Sequence, residues 1–139
     1  MRIWYEKLPE HPSNLWPLLN VKLKSKTSFQ PALALVDSGA SISVLHPDIA
    51  ETLGFSTKIL GKPKEAGESA SGSYQSRTLP ETIDTNICGS TFPIKFTVID
   101  NKSLIWPCIL GEDSIFQLAR IDFWKFKGYF EIELRKDLN

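Results

Sequence analysis

Residues 33–41 read Leu-Ala-Leu-Val-Asp-Ser-Gly-Ala-Ser. The four apolar residues have the pattern of a buried strand, and Asp37 falls where that strand leaves the core, followed by Ser38 and Gly39, which suit a tight turn. A carboxylate in that place is costly unless something needs it. The chemistry open to it is proton transfer. Held there, a carboxylate can act as a general base, or as a general acid when protonated. Asp-Ser-Gly alone is short enough to arise by chance. Its setting is more specific: Ala40 follows it, and Ile109-Leu110-Gly111 stands further along, ahead of a helix pattern.

Other chemistries find less support. Two cysteines, Cys88 and Cys108, are too few for a disulfide framework and read as buried free thiols; with His11 and His46 as the only histidines there is no metal-ligand spacing. No cofactor is therefore expected. His46, just before Pro47, reads as a residue at a helix entrance rather than a ligand or base. Sixteen Lys and Arg balance sixteen Asp and Glu, a field that favours neither nucleic acid nor an acidic membrane surface. The aromatic and lysine mixture Phe-Trp-Lys-Phe-Lys-Gly-Tyr-Phe at 123–130 is explained by alternating strand faces. The first residues mix charges and prolines, without the apolar run of a signal peptide or membrane span, which predicts a soluble, unexported, cytoplasmic chain.

The elements that must position Asp37 are short β-runs with turn punctuation. At 139 residues and 42% hydrophobic content, the chain fits one domain with a sizeable core. We expect that core at 18–134, preceded by an extension at 1–17. Residues 18–24 alternate as a half-buried strand, while 31–36 read as a strand buried on both faces. Pro47, Asp48 and Gly54 suit the first position, first turn and stop of a two-turn helix. The polar, Gly- and Ser-rich stretch 62–77 predicts a loop or a long hairpin tip. Gly89-Ser90 predicts a hairpin between two β-rich runs, and Lys127-Gly128 a closing one. Between them Ile115, Leu118 and Ala119 have helical spacing, with Asp113 or Ser114 able to cap. The sum is an all-β domain with one or two short helices.

The order of these motifs resembles that of the retropepsin-type aspartic proteases: an apolar strand, Asp-[Ser/Thr]-Gly-Ala, a flap hairpin, then two apolar residues and Gly before a helix. The matching residues are Val36, Asp37 to Ala40, the stretch 65–77, and Ile109-Leu110-Gly111. The resemblance implies a closed β-barrel-type acid-protease fold that binds a peptide or protein in extended conformation. It makes Asp37 catalytic, with Ser38, Gly39 and Ala40 supporting the loop. Ser41, Ile42, Ile109 and Leu110 would shape subsites, with Gly67, Gly72 and Tyr74 contributing from the flap. Two carboxylates about 3 Å apart repel by roughly 5 kcal/mol at an effective dielectric near 20. They therefore share one proton, as the known aspartic-protease pairs do. Asp48, Asp84, Asp100, Asp113, Asp122 and Asp137 all lack the Ser/Thr-Gly that follows Asp37. The second carboxylate must come from a twin, which predicts a homodimer with two-fold symmetry. Ala40 offers no hydroxyl to a carboxylate, so a mildly acidic optimum is expected.

Two places depart from the family pattern. Ser41 and Glu112 stand where many members carry an acid and an Arg that brace the dimer. The resemblance also implies that chain ends pair between subunits, making 129–135 a candidate dimer strand. A rival reading is a non-catalytic peptide-binding or dimerisation module on the same fold.

Overall fold

Period-two alternation builds most of this molecule. In Leu18–Lys24, Val21 and Leu23 turn inward while Asn20, Lys22 and Lys24 face water. The structure, a computed structural model, describes residues 1–56, 60–61, 65–69 and 72–137; the side chains of 65–69 and 72–74 lie outside what is described. Of the hairpin expected within 62–77, residues 62–64 and 70–71 are thus outside the described residues, as is the side chain proposed for Tyr74.

In chain order the elements are β1 (Arg2–Trp4), β2 (Glu6–Leu8), β3 (His11–Trp16), β4 (Leu18–Lys24), β5 (Phe29–Val36) and β6 (Val44–Leu45). Helix α1 (Pro47–Thr52) precedes β7 (Glu65–Ser69), β8 (Gly72–Thr78), β9 (Ile83–Ile87), β10 (Ser90–Ile94), β11 (Thr97–Ile99) and β12 (Cys108–Leu110). Helix α2 (Ile115–Leu118) leads into β13 (Ala119–Trp124) and β14 (Tyr129–Leu134). Nine strands form one sheet in the order β10-β9-β4-β5-β12-β6-β11-β8-β7, which curls into a half-barrel. A second sheet has the order β1-β14-β13, and β2 pairs with β3. Strands predominate, with the short helices α1 and α2 among the described residues, which is the expected all-β class.

Strand alternation divides the apolar residues between two clusters. Ala34 and Val36 of β5, Leu45 of β6 and Cys108 and Leu110 of β12 join the main core with Leu23, Phe96 and Phe130. Leu35, Val44 and Ile109, from the opposite faces of the same strands, join Leu8 and Leu18 in a smaller cluster edged by Trp16, Trp106, Ala40 and Ile42. This second cluster lies against the loop that carries Asp37.

Several local expectations change in three dimensions. Only Ala34–Val36 of β5 is buried, because β12 is three residues long and pairs only with that end. The turn after β9 uses Cys88 and Gly89, one residue earlier than Gly89-Ser90: both have positive φ, 51° and 87°, and Ser90 already pairs with Ile87. Cys88 is in consequence half-buried, whereas Cys108 is buried as expected. The segment expected as a plain extension contains β1, which pairs Arg2, Ile3 and Trp4 with Glu131, Phe130 and Tyr129. Three residues are too short a run for alternation to be read. With β13 on its other edge, β14 is the middle strand of its sheet, so 129–135 does not present a free edge to a second subunit.

Candidate active site

Strand β12 lies between β5 and β6, parallel to the first and antiparallel to the second. The chain leaving β5 must therefore arch over the end of β12 before it can enter β6. Asp37 begins that arch: its N–H donates to the Leu110 carbonyl (3.0 Å), which extends the β5–β12 ladder by one bond. The Ala40 N–H then closes a turn onto the Asp37 carbonyl at 3.2 Å. Gly39 donates its N–H to Asp37 Oδ1 at 2.9 Å, fixing the carboxylate and leaving its other oxygen without a partner among the described residues. A Cβ on Gly39 would lie 3.2 Å from that same Oδ1. Asp37 is half-buried while Ser38 and Gly39 are exposed, and the Ser38 hydroxyl meets no described residue of its own chain.

The arch rests on Gly111. A Cβ there would stand 2.5 Å from the Ala40 carbonyl oxygen and 2.6 Å from that of Ile42, backbone atoms that cannot swing aside. Glu112, at the position where the family pattern has a bracing Arg, donates its N–H to the Ala40 carbonyl (2.8 Å) and so touches the arch through its backbone.

Beneath the arch Ser43, fully buried, organises a polar network that sequence reading did not single out. Its hydroxyl donates to Asp113 Oδ1 (2.7 Å) and accepts the Gly111 N–H (3.1 Å). Because its one proton is committed to Asp113, the 2.6 Å contact with Ser114 has Ser114 as the donor. Asp113 or Ser114 was expected to cap α2; Ser114 takes the N-cap position without a side-chain cap, because its hydroxyl, like the Asp113 carboxylate, is engaged with Ser43. A lone serine between Ile42 and Val44 carries no local signal for this role, since its partners lie some seventy positions away.

The remaining expected site residues fall in different places. Ser41 is exposed and Ile42 half-buried, both on the arch. Ile109 is 9% exposed and faces the second cluster. Leu110 differs from expectation: its side chain is fully buried in the main core, so it contributes a carbonyl to Asp37 and no surface to a subsite. Strand alternation forces this, because neighbours in β12 point to opposite faces. Gly67 lies opposite Tyr74, and Gly72 opposite Ser69, in the hairpin β7–β8.

That hairpin joins the site through β11, which pairs with β8 on one side and with β6, the exit of the arch, on the other. Arg77 of β8, largely buried, donates from Nε to the Gly61 carbonyl (2.6 Å) and places Nη1 3.5 Å from the Asp100 carboxylate. Trp16 and Trp106 meet edge to face at the border of the second cluster, 4.8 Å between centroids, and Trp16 Nε1 is buried without a partner among the described residues. His46 caps α1: Nδ1 accepts the Asp48 N–H (3.0 Å) and Nε2 stands 3.2 Å from the Lys102 carbonyl. A cavity of about 580 Å³ borders His46, Leu33 and Leu104, and none of residues 37–43 lines it. Among the described residues no three His, Cys, Asp or Glu side chains converge, and no helix is long and apolar enough to cross a membrane.

This curled, mostly β fold is that of the retropepsin-like aspartic proteases. A retropepsin-like aspartic protease from Rickettsia conorii superposes with a TM-score of 0.63 at 19% identity, covering 96% of this chain and 98% of that one. The retroviral protease-like domain of Ddi1 from Leishmania major gives 0.55 at 21%, covering 88% and 98%. EIAV protease, in a complex with an inhibitor, gives 0.51 at 21%, covering 73% and 86%. No protein-family model and no curated protein matches the chain in sequence.

Proposed function

We propose that this protein is an aspartic endopeptidase, a single protease domain active as a homodimer in which Asp37 of each subunit supplies one of two catalytic carboxylates. The observation that carries this reading is Asp37 itself. It stands where β5 passes into the arch, half-buried, with one oxygen held by Gly39 and the other open.

In the pair, the charged carboxylate takes a proton from a water as its oxygen attacks the substrate carbonyl carbon, while the protonated one gives its proton to the carbonyl oxygen. The tetrahedral product then collapses, the C–N bond breaks and the amine leaves with a proton returned through the carboxyls. Two like charges held close ionise as a unit, so one protonated and one charged carboxyl coexist over a range of pH. In this reading Ser38, whose exposure beside Asp37 supports the role, bonds across the subunit boundary. Gly39 and Ala40 keep the arch low enough for the two loops to meet.

The substrate binds as an extended strand between the arch and the hairpin β7–β8, which serves as a flap carrying Gly67, Gly72 and Tyr74. Ile42 on the arch, with Ile109, Leu35 and Val44 behind it, forms its apolar floor, and Ser41 lies exposed at the edge.

The test is cleavage of a denatured protein mixture between pH 4 and 7, with a mildly acidic optimum expected. Asp37→Asn should abolish the products, and a statine-type transition-state mimic should inhibit the native protein. Products that persist in Asp37→Asn would overturn the mechanism, and the absence of Asp37-dependent products at any concentration would favour a non-catalytic binding module.

A further inference from the structure

We propose that the cavity beside the outer edge of β5 is an exosite, taking an apolar, extended segment of the substrate that lies about four to seven residues from the cut. The inference rests on the endopeptidase reading above and extends recognition beyond the cleft.

The site exists because two neighbouring strands differ in length. β5 runs from Phe29 to Val36, but β12 pairs only with Ala34, Leu35 and Val36, which leaves the edge from Phe29 to Leu33 open on that side. The cavity of about 580 Å³ lies along this edge, within the range of roughly 300–1,000 Å³ usual for ligand sites. Backbone parity aims one donor into the gap. The Asp37 N–H meets Leu110 of β12 while the Val36 N–H meets Pro17 on the β4 side, so Leu33, like Leu35 and Asp37, turns its backbone groups toward the β12 side. The Leu33 N–H has no partner among the described residues. Pro31, the next outward position, has no N–H to leave unpaired, and Gln30 Nε2 donates to its carbonyl at 2.9 Å. The open edge thus offers one main-chain donor, at the end nearest the arch.

Continuity with the cleft makes the substrate itself the occupant. Leu8, Leu33 and Leu104 line the cavity and also pack against the second cluster, whose Ile42 and Ile109 belong to the proposed substrate floor. One ridge separates the two surfaces: Ile105 and Pro107 line the cavity, while Trp106 between them meets Trp16 at the border of the cluster. A chain leaving the cleft can cross that ridge without leaving apolar surface. Leu33 stands four residues before Asp37, a span of about 13 Å, which about four residues of extended substrate would cover. The chemistry of the wall sets what is bound. Ile105 is 39% exposed, and Asp48 and Lys102, which also line the cavity, pair with each other at 3.6 Å. Both nitrogens of His46 are engaged, one by the Asp48 N–H and the other at the Lys102 carbonyl. The site therefore selects apolar side chains rather than charge, with a substrate carbonyl accepting from the Leu33 N–H.

The test compares two synthetic peptides built on one cleavage site from the denatured mixture, chosen with apolar residues in its flanks. One is an octapeptide centred on the cut; the other, of about sixteen residues, keeps the natural flanks. The native protein should cleave the longer peptide with kcat/KM about tenfold higher, the gain lying in KM. Ile105→Asp should erase that gain and leave octapeptide cleavage within about twofold of native, whereas Ile105→Val should keep it. A readout independent of the chemistry uses Asp37→Asn, which should bind without cutting: the longer peptide, and not the octapeptide, should protect the Leu33 amide from exchange. Equal cleavage of the two peptides, an Ile105→Asp variant that keeps the gain or slows both alike, or a Leu33 amide untouched by the longer peptide would overturn the exosite and leave the paired-carboxylate reading intact. If instead the denatured mixture protects Leu33 in Asp37→Asn while the native protein cuts nothing in it, the endopeptidase reading falls and the cavity stands as a peptide site.

Discussion

Ser43 and Asp113, seventy positions apart, share a 2.7 Å hydrogen bond beneath the Asp37 arch. The bond ties the entry of β6 to the segment that follows β12. With the Gly111 N–H on the same hydroxyl, it gives the arch a brace inside one chain, where the positions of Ser41 and Glu112 provide none by charge.

Replacing Ser43 by Ala strands the buried Gly111 N–H, so we expect a loss of about 1–3 kcal/mol. Asp113→Asn keeps an acceptor for the serine hydroxyl and should cost less than about 1 kcal/mol. Urea unfolding of the two variants compares them directly; equal costs would mean that the charge of Asp113, not the serine, holds the arch.

Gly111→Ala should be the most damaging single-methyl change in the molecule. Its Cβ meets two backbone carbonyl oxygens at 2.5 and 2.6 Å, so the arch must lift. The expected loss is about 2 kcal/mol or more, with Asp37 displaced and cleavage lost even where the protein still folds. Native-like stability in this variant would show that the arch is softer than its contacts suggest.

The buried Cys108 thiol has its pKa pushed above the ordinary range by burial alone. In the unfolded chain the thiol ionises from about pH 8.5 upward while the folded form keeps its proton. The unfolded state then binds fewer protons, so stability is full below that pH and falls above it. The urea midpoint should decline between about pH 8.5 and 10, and Cys108→Val should flatten that decline. Iodoacetamide should label the half-buried Cys88 first and reach Cys108 only on unfolding.

Arg77 anchors the base of the β7–β8 hairpin through the Gly61 carbonyl and Asp100. Arg77→Met keeps most of the buried stem and removes both contacts. Backbone amides of the β7–β8 ladder should exchange about tenfold faster, the equivalent of losing one hydrogen bond of about 1 kcal/mol, while global stability changes little. Unchanged exchange would place the anchor elsewhere, in the pairing of β8 with β11.

Much of this protein is legible along the chain because its signals are local. Asp37 to Ala40, the glycine after Ile109-Leu110, the alternation of β4, the His46-Pro47 entrance of α1 and the Gly128 turn each depend on residues a few positions apart. Local sterics and side-chain period suffice to read them. Other features were decided only by tertiary pairing. Three residues of β1 carry too little pattern to announce a strand, yet docking them against β14 changes which strand remains open at the edge. Leu110 and Ile109 look alike in sequence, and the insertion of β12 between β5 and β6 sends one to the main core and the other to the smaller cluster beside the arch. Ser43 acquires its role only when the sheet brings Gly111, Asp113 and Ser114 to it. A side chain's partners across a sheet are set by which strands become neighbours, and no spacing along the chain encodes that.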